Sequence, residues 1–123
     1  LEYLKLLEEA DSPVRLVLNL DAPGHLGSRN ALSFYNVEGG GEELILGAVK
    51  ANAVEKGEPW YAGDHSMFAL RGTPCLVASS SDLFAGALAA THTARDLPGT
   101  VDLGLLDELA EAVVKIVRLA DGF

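Results

Sequence analysis

Three widely separated segments carry the side chains that could do chemistry: NLDAPG from Asn19 to Gly24, WYAGDHSMF from Trp60 to Phe68, and THTARD from Thr91 to Asp96. Asp21 follows the run Val14-Arg15-Leu16-Val17-Leu18, so its carboxylate is expected where a buried strand ends. In open α/β sheets that is where ligand sites collect. His92, between Thr91 and Thr93, falls in a small polar turn between two helical stretches. Carboxylate oxygen and imidazole nitrogen are ordinary Zn²⁺ ligands, and a catalytic zinc needs about three of them plus an open position for water. Two residues make half a site, which predicts that the chain is a piece of an enzyme. Each residue also has a plainer reading: Asp21 as the cap of the following loop, His92 as a surface histidine, Asp64 as a helix cap beside His65, and Trp60 and Phe68 as packing.

The elements that would position these residues follow an α/β pattern. Leu1, Leu4 and Leu7 read as the end of an amphipathic helix over about 1–10, closed by Asp11-Ser12-Pro13. The opening on Leu1, already in a helical pattern, reads as a start partway through a larger protein. The apolar run to Leu20 predicts a strand buried on both faces, as in parallel or mixed sheets covered by helices. A second strand is expected over Ala31 to Val37, and Gly39-Gly40-Gly41 is a flexible break. A helix is expected from Glu42 to about Lys56, on the spacing of Leu44, Ile45, Ala48, Val49 and Ala53. Asp64 is placed to cap a short helix through Leu70, and Thr73-Pro74 leads into a third strand ending at Ser79-Ser80-Ser81. Asp82 is expected to cap a helix over Leu83 to Ala90, and Asp102 a long last helix with Leu105, Leu109, Ala112 and Ile116 among its apolar positions. The order is helix, strand, strand, helix, helix, strand, helix, helix, with no linker that would divide residues 1–123 into two domains.

Composition narrows the function classes. With 49% apolar residues in 123, the chain can bury a single-domain core. Nine basic residues scattered among eighteen acidic ones give a formal net charge of -9 and form no basic stripe, which argues against nucleic acid or an anionic membrane as partner. An acidic surface suits cations, including metals and free amino termini. Cys75 is the only cysteine, so no intrachain disulfide forms, and its neighbours Pro74, Leu76 and Val77 predict a small buried hydrophobe. No apolar stretch reaches the length of a membrane span, and the first residues lack the basic start and apolar middle of a secretion signal.

Taken in order, NLDAPG, WYAGDHSMF, GTPCLVASS and THTARDLPGTVD resemble the C-terminal half of the di-zinc aminopeptidase family. That family includes aminopeptidase Y and bacterial leucyl aminopeptidases, with relatives among glutamate carboxypeptidases and glutaminyl cyclases. The resemblance covers nearly the whole chain and implies a three-layer αβα sandwich with a mixed, mostly parallel sheet, here part of the zinc exopeptidase fold. It makes Asp21 and His92 metal ligands, one for each of two zincs. It also places Asp64 beside the site in a supporting or substrate-facing role, with His65 in support. Trp60 or Phe68 would line the approach. Asp96 could orient the His92 imidazole by accepting its second N–H, or could simply act in the turn before Leu97-Pro98.

The family's His-x-Asp and Glu-Glu elements are not found. His25, His65 and His92 stand in no His-x-Asp arrangement; Glu8-Glu9 lies too close to Asp21, and Glu42-Glu43 comes after it. Both Glu pairs read more simply as solvated or first-turn helix residues. His25 departs from the family pattern, either as an added polar group facing the site or as an ordinary loop histidine. The implied function is a metal-dependent aminopeptidase acting on peptides, with this chain supplying part of the zinc site and inactive alone. Two alternatives stand beside it: a non-catalytic module that keeps the fold, and an acyl transfer enzyme like glutaminyl cyclase. A sheet cut between strands also exposes an edge, so a homo-oligomer or association with the missing half is expected.

Overall fold

The computed structural model describes residues 13–83, 93–94 and 97–121, with residues 2, 5 and 6. Four strands form one sheet: β1 (Val17–Leu20), β2 (Asn30–Tyr35), β3 (Val54–Lys56) and β4 (Cys75–Ser80), in the order β1-β4-β2-β3. β1 runs parallel to β4 and β2 parallel to β3, whereas β2 and β4 are antiparallel. The chain is therefore a small α/β domain with a mixed, mostly parallel sheet packed against helices. Described helices are α1 (Gly41–Val49), the short α2 (Ser66–Leu70) and α3 (Leu103–Ala120).

The apolar run Cys75-Leu76-Val77-Ala78 becomes the central strand, and all six residues of β4 are buried. Burial on both faces was expected of the run ending at Leu20, but β1 is an edge strand, half-buried with Leu20 54% exposed, so β4 takes the central place. Leu76 and Ala78 join Leu32, Ile45, Val49, Leu109, Ala112 and Ile116 in a core beneath α1 and α3. Cys75 and Val77 face the other way, into a cluster with Tyr35, Trp60, Ala69 and Leu83. In α3, Leu109, Ala112 and Ile116 fall three and four residues apart on one face. Burying each large one contributes about 1.5–3 kcal/mol.

The sequence-expected helix over Glu42 to Lys56 ends early. α1 stops at Val49, a 3-10 turn takes Lys50–Asn52, and Ala53 sits in the left-handed region at φ 53. That reversal frees Val54 to pair with Asn30 and Glu55 with Ala31, adding a strand absent from the expected order. Asn52, buried at the turn, donates to Glu108 and Glu111 and accepts from Lys115 Nζ at 2.6 Å, fastening the turn to α3. Lys56 pairs with Glu42, joining the end of β3 to the first turn of α1.

The cap expectations divide. Asp102 caps α3, its Oδ1 accepting from Leu105 N–H at 3.3 Å. Asp64 does not cap α2: His65 holds the cap position and no side chain bonds there. The second strand also ends at Tyr35, two residues short of Val37, because Asn36 turns left-handed at φ 57. Glu8-Glu9, most of the opening helix and the Leu83 to Ala90 helix beyond Leu83 lie outside the described residues.

Candidate functional site

Parallel pairing of β1 with β4 brings their carboxyl ends to one edge of the sheet, and antiparallel β2 starts there. Asp21 is the first residue past β1. Its backbone N–H donates to Ala78 O at 2.9 Å, which extends the ladder one step and sets it abreast of Ser79. Strand alternation then puts Asp21 on the face of Asn19. It is half-buried, and among the described residues no hydrogen bond or ion pair engages its carboxylate.

The loop after Asp21 is tightly held. Ala22 (φ 54) and Gly24 (φ 75) are both left-handed, and a Cβ on Gly24 would stand 2.6 Å from Leu106 Cδ2, so only glycine fits there. Gly24 N–H donates to Asn30 Oδ1 at 2.9 Å, while Asn30 Nδ2 donates to Leu105 O at 2.7 Å. His25 makes an antiparallel bridge with Val101, and its N–H donates to Ser80 Oγ, whose hydroxyl donates to Ala22 O. The His25 Nδ1 atom lies 3.2 Å from Asp82 Oδ2, so Nδ1–H is the donor and Nε2 has no partner among the described residues. A carboxylate-oriented imidazole of this kind is the arrangement that fixes a tautomer in metal sites and acid–base pairs.

The 60–68 segment is organised from within by His65, which is 1% exposed. Asn19 Nδ2–H donates to His65 Nδ1 at 3.2 Å, and His65 Nε2–H donates to Trp60 O at 2.7 Å. Both ring nitrogens are thus used in the neutral form. Tyr35 Oη donates to the same Trp60 carbonyl at 2.6 Å and accepts from Trp60 N–H, and burial raises the Tyr35 pKa. The His65 ring stacks obliquely on Tyr35 and edge-on to Trp60. A Cβ on Gly63 would come within 2.9 Å of both the His65 and Trp60 rings, so the GDH glycine permits this closure.

Of the candidate residues, then, His65 bonds Asn19, which stands two residues before Asp21 on the same strand. Asp64 is exposed beside His65, Phe68 packs half-buried in the Tyr35–Trp60 cluster, and His92 and Asp96 lie outside the described residues. Trp60 is buried yet forms a wall of an open cleft of about 400 Å³ whose lining includes Ser33, Ser79, Ser81, Asp82 and Leu83. Among the described residues, no three of His, Cys, Asp and Glu gather as a metal-binding set. The His25–Asp82 pair was not legible beforehand, since its members are 57 residues apart and no local pattern links them.

The described residues form a small α/β domain with polar side chains gathered where β1 and β4 end. No family model, curated protein or solved structure matches the chain.

Proposed function

We propose that this chain supplies part of the zinc site of a metal-dependent exopeptidase that removes N-terminal residues from peptides. The sheet would be part of a three-layer αβα frame. The observation that carries the reading is the meeting of two segments 46 residues apart: the Asn19 amide bonds the His65 ring, and Asp21 stands two residues beyond Asn19 at the strand end, its carboxylate without a partner among the described residues. A half-buried carboxylate at a strand end, without a partner among the described residues, is available as a metal ligand at a position that the backbone sets.

Asp21 would hold one metal and His92 the other, with the remaining ligands and the general base contributed from outside residues 1–123. Zinc bound there would supply a water acidified toward neutral pH and a polarised peptide carbonyl. Asp64, exposed beside His65, would offer a negative charge to the substrate's free amino terminus. Asn19 and His65 keep the strand end and the Trp60 to Phe68 wall in fixed relation, and Trp60 lines the cleft.

The reading is tested on the parent polypeptide by metal analysis and by release of N-terminal residues from peptides. Asp21→Asn and His92→Ala should each lower kcat/KM by more than about a hundredfold, since loss of an outer partner alone costs 10–100-fold. Full activity in either variant, or no bound zinc in the active parent, would overturn it. Cyclised product from N-terminal glutamine peptides would redirect the reading to acyl transfer.

A further inference from the structure

Strand register builds the floor of the open cleft beside β4. Ser79 of β4, Ala31 of β2 and Glu55 of β3 stand side by side there, on the sheet face opposite the Leu32 and Ala78 core. Ser79 is 3% exposed, and its hydroxyl has no hydrogen-bond partner among the described residues. Asp82 lines the same cleft: its Oδ2 accepts from His25, whereas its Oδ1 is buried with no partner. Buried polar atoms are nearly always hydrogen-bonded, so two without partners in one cleft point to a ligand that brings donors.

Charge and shape select the ligand. Of the charged lining residues, Lys56 pairs with Glu42 on α1 and Glu55 accepts from Arg29 Nε at 3.2 Å. That leaves Glu58 and Asp82, whose carboxylates form no ion pair with lysine or arginine among the described residues. The site therefore favours a cation. A bare metal ion lacks a ligand set among these residues, while Ala31, Trp60 and Leu83 offer apolar surface to a hydrocarbon stem. We propose that the cleft binds a primary alkylammonium group, which donates to Asp82 Oδ1 and Ser79 Oγ while its stem lies along Trp60 and Leu83. An ammonium carries three donors on a compact head, and its bond to a carboxylate is of the strong, charge-assisted kind. This binding requires no metal at Asp21.

Trp60 is the only tryptophan of the chain, so its fluorescence reports on the cleft directly. Titrating the full chain with butylammonium at constant ionic strength should change the emission saturably, and butan-1-ol, of the same length without the charge, should bind at least about tenfold more weakly. Asp82→Asn, which keeps an acceptor for His25, should weaken butylammonium about tenfold, and Ser79→Ala about threefold, with circular dichroism confirming that each variant folds. Nα-acetyl-lysine amide separates the two sources of such a group: saturable binding assigns the cleft to a lysine side chain of a peptide, and binding of butylammonium alone assigns it to a free amine. No saturable change with butylammonium, equal binding of the alcohol, or unchanged binding in both folded variants would overturn the proposal.

Discussion

His65 links the core to the candidate site through two hydrogen bonds, one from Asn19 and one to Trp60 O. Because it is buried, replacing it leaves a void and an Asn19 amide without its acceptor. His65→Ala should cost about 3 kcal/mol in denaturant unfolding, from cavity and lost hydrogen bonds together. A cost under 1 kcal/mol would mean the segment closes on Tyr35 and Trp60 without it. The same geometry explains what each residue of NLDAPG does. Asn19 bonds inward to His65, Asp21 stands half-buried at the strand end, and Gly24 passes under Leu106 where no Cβ fits.

At the scale of elements, α3 depends on its first turn. Asp102→Ala removes the acceptor for Leu105 N–H and should destabilise the protein by about 1 kcal/mol, read as a lower unfolding midpoint with unchanged m-value. Asp102→Asn, which keeps a side-chain acceptor, should recover most of that. This cap, the buried run of β4 and the core face of α3 could be read from sequence, because each is a local pattern: a carboxylate before an apolar repeat, or an unbroken apolar stretch. β3 could not, because Ala53 continues the helical spacing of Ile45 and Val49 while adopting a left-handed backbone that only tertiary pairing with β2 rewards. Part of the site was legible for the same reason. A strand followed by Asp21 marks a sheet edge, but the contacts of His25 with Asp82 and of Asn19 with His65 join distant segments and leave no local trace.

For the molecule as a whole, β4 is the common wall of both apolar clusters, and Cys75 within it is fully buried. Burial pushes its thiol up from 9.0 to about 11, so the folded protein holds it inaccessible and protonated at neutral pH. Labelling of Cys75 at pH 8 should therefore track global unfolding, its rate rising with denaturant along the slope of the equilibrium transition. Labelling that is fast and insensitive to denaturant would reveal a local opening of the sheet.

The strand order also governs the birth of the protein. β1 and β2 are neighbours in sequence, yet β4 lies between them in the sheet. During translation, at about 5–20 residues per second, β1 leaves the ribosome several seconds before the strand that binds it exists. For that interval Val17 to Leu20 is an orphan segment on a nascent chain, and the whole sheet waits on residues 75–80 before any of its three pairings except β2 with β3 can close.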